Sequence, residues 1–302
     1  MLYILFFYNF AYLKPLQANY YMNIKTTKMN KSFISKIFAI VLMATATSSV
    51  YAGWTDNLSP YDLNAPVGWG TVDGKITGGE GGTIVTVKTK TELMNALKGT
   101  DKKIIYVDGE IEFSGLNSVK GTQNKTVYGM KGSALVNSKH SGKTSETGIL
   151  QLSDCKNIIL RNLTFKSAGA YDIDGNDNLT VAGSSYIWVD HCDFQDGVDG
   201  NFDCVNGSDN ISVTWCRFRY FIEPWAGGSG GANDHRNCDL WGNSDSRTTD
   251  AGHLKTTFAN CWWDEGCSER MPRVRYGQVH VQNCLYSSSN ANYCVGYGYK
   301  SN

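Results

Sequence analysis

The chain has 302 residues, 41% of them hydrophobic and 19% charged, enough for one large domain with a substantial core and too apolar for a disordered tail or a coiled coil. Lys+Arg 28 balances Asp+Glu 28, which leaves no basic field for nucleic acid. Glycine at 32 against proline at 5 excludes a collagen-like chain and points to many tight turns.

Residues 29–52 read MNKSFISKIFAIVLMATATSSVYA. Lys31 and Lys36 form a positive start, Ile37 to Ala44 an apolar stretch, and Val50-Tyr51-Ala52 a small-residue cleavage signal. This is the pattern of a secretory signal peptide, with Gly53 the first mature residue. The apolar stretch is shorter than the roughly 20 residues that cross a bilayer. Residues 1–28 read as an upstream extension, with Met22 or Met29 the working start. Residues 1–52 hold five lysines and no acid, so the exported chain carries 23 basic against 28 acidic side chains, a net charge of −5.

Residues 53–302 read as one domain. Thr89-Lys90-Thr91-Glu92 is a capping box before LMNAL, with Leu93 and Leu97 one helical turn apart. A short helix there is expected to cover the open end of a stack of strands. KKIIYVDGEIEF (102–113) and KTVYGM (125–130) follow as strands. The sequence stops at Lys300-Ser301-Asn302 as another strand begins, and truncation at that end is the expectation.

The C-terminal half repeats itself. IILRNLTF (158–165), IWVDHCDF (187–194), ISVTWCRF (211–218), HRNCDL (235–240), FANCWW (258–263) and VHVQNCLY (279–286) share a pattern. The shared position holds Leu163, Cys192, Cys216, Cys238, Cys261 and Cys284, at intervals of 29, 24, 22, 23 and 23. A fixed period of this size means stacked units. Each unit has one clear strand followed by polar, glycine- and asparagine-rich turns, with no helix between. The expected fold is therefore all-β, a right-handed parallel β-helix with a short N-terminal capping helix. Equivalent residues would then stack at about 4.8 Å in ladders inside the coil. The cysteines of the repeat are expected as buried, reduced thiols on one ladder. Off that ladder, Cys155, Cys204, Cys267 and Cys294 are the better disulfide candidates in an exported chain.

Two clusters carry possible chemistry. Asp177 lies in NDNLTVAG, and Asp196, Asp199 and Asp203 in DGVDGNFD. Carboxylates on neighbouring turns can meet at one point, and Asp177, Asp199 and Asp203 together suit a hard cation, Ca²⁺ first. Asp-Gly and Asn-Asp are also ordinary turn residues. The second cluster is ERMPRVRYG, where Arg273 and Arg275 alternate as strand neighbours do beyond Arg270. Forked guanidiniums match carboxylates, although solvated surface arginine reads equally well. Acidic and basic groups on one face suggest an anionic polymer bound partly through cations. Trp188, Trp215, Trp241, Trp262 and Trp263 could stack on sugars, but their strand positions favour packing for most. Six sequons, at Asn57, Asn124, Asn162, Asn178, Asn206 and Asn210, matter only in a eukaryotic host, and Asn162 lies within a strand.

GWGTVDGKITGGEGGTIVTVKTKTELMNAL, YIWVDHCDF, DGNFDCVNGSDNISVTWCRF and RMPRVRYGQVHVQNCLY together resemble the pectate lyases of polysaccharide lyase family one, in the family's order from about Gly53 onward. That resemblance implies calcium-binding aspartates at Asp177, Asp199 and Asp203. It implies a catalytic arginine at Arg270, heading RxPxxR, and a substrate-carboxylate arginine at Arg275. The family's substrate-contacting lysine precedes the turn that is Asn243-Ser244-Asp245 here. This chain has no lysine in that stretch, and Arg236 is the nearest basic residue. The implied reaction is calcium-dependent β-elimination in polygalacturonate by a secreted enzyme. An arginine base sits badly with a pKa above about 12, so an arginine that positions water or hydroxide is the other possibility. The expected partner is the polysaccharide, with neither nucleic acid nor membrane, and a monomer is expected. The competing readings are a calcium-independent pectin lyase, which should lack the aspartate set, and a non-catalytic pectin-binding β-helix.

Overall fold

The computed structural model describes residues 65–301. The export pattern at 29–52, the upstream extension and the sequon at Asn57 lie outside the described residues. From Lys103 onward the chain winds through three sheets, visiting them in the same order on successive turns. The first sheet has eight strands: Thr83–Val87, Lys103–Val107, Gln123–Gly129, Lys156–Arg161, Ser185–Asp190, Asp209–Thr214, Thr256–Ala259 and Val279–Gln282. The second has seven short strands: Glu110–Glu112, Ala134–Val136, Thr164–Lys166, Asp193–Gln195, Arg217–Arg219, Trp262–Trp263 and Leu285–Tyr286. The third, which positions the site, also has seven: Asn117–Lys120, Leu150–Ser153, Leu179–Ala182, Phe202–Val205, Asp239–Trp241, Arg273–Gly277 and Gly296–Ser301. Neighbouring strands pair in parallel throughout. The architecture is the right-handed parallel β-helix, the hand that parallel crossovers take.

The corners explain why this sequence coils. Between the first and second sheets the chain turns on one residue in the left-handed region: Asn162, His191, Trp215, Asn260 and Asn283, at φ between 49 and 58°. Asparagine tolerates that conformation better than most residues, which accounts for its frequency there. The next residue points inward: Leu163, Cys192, Cys216 and Cys261 are fully buried and Cys284 is half-buried. Two positions further on, Phe165, Phe194, Phe218, Trp263 and Tyr286 stack face to face. Their centroids are 4.9, 5.1, 5.4 and 4.8 Å apart in turn. Each stacked pair adds about 0.5–1.5 kcal/mol beyond its buried area.

The structure removes Cys238 from the cysteine ladder. Cys238 precedes Asp239–Trp241 in the third sheet, and Asp209–Thr214 pairs directly with Thr256–Ala259. One turn, from Cys216 to Cys261, is 45 residues long. Loops at 220–238 and 242–255 swell it, and a cysteine near its midpoint imitated a rung. The disulfide candidates are corrected too, since all nine cysteines are free thiols. Cys204 has no cysteine beside it along its sheet, where it lies between Val181 and Trp241. Cys155 occupies a corner where its N–H donates to Ser184 Oγ. Cys267 Sγ donates to the Phe218 carbonyl at 3.2 Å.

The capping helix, α1 (Lys90–Leu97), is present. Thr89 Oγ1 accepts from the Glu92 N–H at 3.3 Å, and Glu92 Oε2 accepts from the Thr89 N–H at 3.2 Å. Leu93 and Leu97 face the first rungs, fully buried. Beside them the buried Lys125 ammonium donates to the carbonyls of Gly99 at 3.0 Å, Gln123 at 2.8 Å and Asp101, and burial lowers its pKa. Residues 68–82 run as a strap over the outside of the first sheet, where the Thr77 and Gly78 N–H groups donate to Asn157 Oδ1. A Cβ on Gly79 would lie 1.9 Å from the Lys103 carbonyl oxygen, so close approach demands glycine there. Asn162 and Asn178 are buried and hydrogen-bonded inside the coil, which closes those sequons. Of the five tryptophans named from the sequence, Trp188, Trp241 and Trp263 are buried. Among the described residues no helix is long and apolar enough to cross a membrane.

Candidate active site

The third sheet carries the site on its outer face. In register across it lie Thr180, Asp203, Leu240 and Arg273. The loops that enter this sheet bring Asp177, Asp199 and Arg270 to the same edge, each two or three residues ahead of its strand. Stacking thus assembles side chains that lie far apart in sequence.

Gly200 lets the carboxylates converge. A Cβ there would sit 2.8 Å from Asp177 Oδ1 and 3.4 Å from Asp203 Oδ1. Asp177 Oδ2 accepts from Thr180 Oγ1 at 3.0 Å, and Asp203 Oδ1 from the Leu240 N–H at 3.1 Å. Burial first, and then the charges of Asp203 and Asp199, push the Asp177 carboxyl well above the usual range. Burial and the Asp199 charge push Asp203 up to about 8, with Arg270 opposing the rise. Asp199 Oδ1 lies 2.8 Å from His235 Nε2.

Arg270 approaches the carboxylates from two rungs beyond Asp203, past the strand Asp239–Trp241, with φ at 57°. Its Nε is buried and has no hydrogen-bond partner among the described residues. Arg275 points from the far half of its strand, and its Nε donates to Asp245 Oδ1 at 3.2 Å and its Nη1 to the Gly242 carbonyl at 3.2 Å. Burial, then the neighbouring Arg273 charge, lowers its pKa. Beside it lies a groove of about 510 Å³ lined by Asp245, Glu269, Arg273, Arg275, Tyr293 and Tyr297. The strand alternation therefore faces Arg273 and Arg275 outward together.

Of the residues singled out from the sequence, Asp177, Asp199, Asp203 and Arg270 come together, and Arg275 extends the same face. Arg236 does not join them: it pairs with Asp234 in its own loop, Nε to Oδ1 at 2.9 Å and Nη2 to Oδ2 at 2.5 Å. Sequence reasoning missed Thr180, Asp172 and His235. His235 stands 36 residues from Asp199, and nothing local marks that meeting.

Among the described residues no three His, Cys, Asp or Glu side chains already converge as a formed metal site. The donor chemistry nevertheless fits a hard cation. Burial and neighbouring carboxylate charge raise the proton affinity of both Asp177 and Asp203, Asp199 stands beside them, and all donors are oxygens. A bound dication would relieve that repulsion.

Comparison with known proteins is consistent with this arrangement. A family model described as pectate lyase matches residues 31–302. A pectate trisaccharide-lyase of Thermotoga maritima is 32% identical over 84% of this chain and 64% of its own length. Pectate lyase plyB of Emericella nidulans is 32% identical over 74% of this chain and 62% of its own. The chain thus spans slightly less than two thirds of these relatives. A solved pectate lyase bound to a hexasaccharide superposes with a TM-score of 0.62 at 22% identity, covering 82% of this chain and 78% of that one; this likeness shows the shared β-helix. With the family model matched across most of its length, this chain belongs to the pectate lyase family.

Proposed function

We propose that the chain is a secreted, calcium-dependent pectate lyase that cleaves α-1,4-polygalacturonate by β-elimination and leaves 4,5-unsaturated oligogalacturonates. The observation that carries this reading is the Asp177–Asp203 pair converging at Gly200 and facing Arg270, whose Nε has no hydrogen-bond partner among the described residues. Asp177, Asp199 and Asp203 would hold Ca²⁺, which supplies positive charge against the uronate carboxylate and acidifies its C5–H. Arg275 orients that carboxylate through its forked donors, exchanging Asp245 for the substrate. Arg270 as the neutral guanidine, or a water or hydroxide held by its guanidinium, takes the C5 proton. The C–H electron pair becomes the C4–C5 double bond, and the C4–O pair leaves with the glycosidic oxygen. Fixed charge beside the developing enolate-like oxygen helps most at the transition state. Arg236 reaches substrate only if its pair with Asp234 opens.

The partner is the pectate chain, bound by a monomer without nucleic acid or membrane, and residues 29–52 are the export signal. The absent lysine keeps a non-catalytic pectin-binding protein as the second reading. Ultraviolet absorbance during incubation with polygalacturonate separates the readings. A rise with Ca²⁺ that excess chelator stops supports the lyase. No rise from folded protein overturns it in favour of binding alone. A rise indifferent to chelator would instead indicate pectin-lyase chemistry and remove the aspartates from their roles.

A further inference from the structure

We infer that His235 is a positioning residue that fixes Asp199 and ties the glycine-rich loop at 226–232 to the carboxylate cluster. For its cation-binding part, the inference rests on the reading of Asp199 as a ligand. The His235 ring is 14% exposed and both nitrogens are engaged: Nε2 lies 2.8 Å from Asp199 Oδ1, and Nδ1 lies 3.0 Å from Asp172 Oδ1. A planar ring held at both nitrogens has one orientation.

Asp172 in turn seats the loop. Its Oδ2 accepts from the Ala232 N–H at 2.5 Å, and its carbonyl from the Gly230 N–H at 2.9 Å. A Cβ on Gly230 would lie 2.2 Å from Asp172 Oδ1, and one on Gly228 would lie 2.0 Å from the Asp172 carbonyl oxygen. Any side chain at these positions would lift the loop off Asp172. The glycines are therefore a condition of the contact, and contact runs unbroken from the loop through Asp172 and His235 to Asp199. Asp199 is followed by Gly200 and lies two residues after Gly197, so its backbone alone restrains it little. Outer partners of this kind typically set metal affinity by 10–100-fold.

The test uses the full chain and three variants: His235→Ala, His235→Gln and Asp172→Asn. Calorimetric titration with Ca²⁺ should show affinity 10–100-fold weaker in His235→Ala, partly recovered in His235→Gln, which can still donate to Asp199. Hydrogen exchange of the 226–232 amides, measured in chelator, should quicken in His235→Ala and Asp172→Asn, while the melting temperature in chelator moves little. Ca²⁺ affinity within twofold of wild type in His235→Ala overturns the inference. If His235→Ala does not fold, Asp172→Asn with unchanged loop exchange overturns the tie. A wild-type chain that takes up no Ca²⁺ overturns the cation reading together with the claim on Asp199, and loop exchange then still decides the Asp172–His235 tie.

Discussion

Replacing Asp203 by asparagine should stabilise the cation-free protein at alkaline pH while it abolishes turnover. The substitution keeps the shape and leaves an Oδ1 to accept the Leu240 N–H, so it removes charge and little else. Asp203 rises from an ordinary 3.8 to about 8 in the folded chain. Because its folded pKa is raised, the protonated carboxyl contributes its full stability below about pH 4, and that contribution is lost as pH climbs toward 8. The whole shift corresponds to roughly 6 kcal/mol, an upper bound because the Asp203 side chain keeps some solvent contact. Half of it, about 2–3 kcal/mol, amounts to roughly 5–10 °C in melting temperature for a chain of this size. The assay is thermal unfolding in chelator from pH 4 to 9. Wild type and variant should coincide at pH 4 and diverge above it, with the variant higher. Added Ca²⁺ should then raise the wild type and leave the variant nearly unmoved. A variant that melts at or below wild type at pH 9, or that differs equally at pH 4, would refute the argument from repulsion.

Arg270→Ala should cut release of unsaturated product by at least about 100-fold, with only modest loss of polymer binding in a sedimentation assay; near-full rate would remove Arg270 from the site. Phe194→Ala opens the middle of the aromatic stack and should cost about 3–5 kcal/mol in denaturant unfolding. Lys125→Met leaves three buried carbonyls without their donor and should cost roughly 2–4 kcal/mol, seen in the same measurement. Thr89→Ala removes one half of the capping box and should cost about 1 kcal/mol.

Much of the fold is legible in the chain because a β-helix is locally periodic. A left-handed corner residue, an inward Leu or Cys and an aromatic two places later recur on successive rungs, and each rung packs on a near copy of itself. The capping helix is equally local, since Thr89 and Glu92 are three residues apart. The clustered aspartates are less plain: Asp199-Gly200 looks like any turn, and only the folded coil brings the Asp177 and Asp203 carboxylates together over Gly200.

What tertiary structure alone decided lies where the period breaks. The turn between Cys216 and Cys261 swells to 45 residues, and within it spacing no longer reports position. Cys238 therefore imitated a rung, Arg236 turned to Asp234, and His235 reached across to Asp172 and Asp199. Periodicity in a sequence encodes the stack because neighbouring rungs must bury one another. An inserted loop is held instead by hydrogen bonds to whatever the stack presents beneath it, and only the folded coil sets those partners.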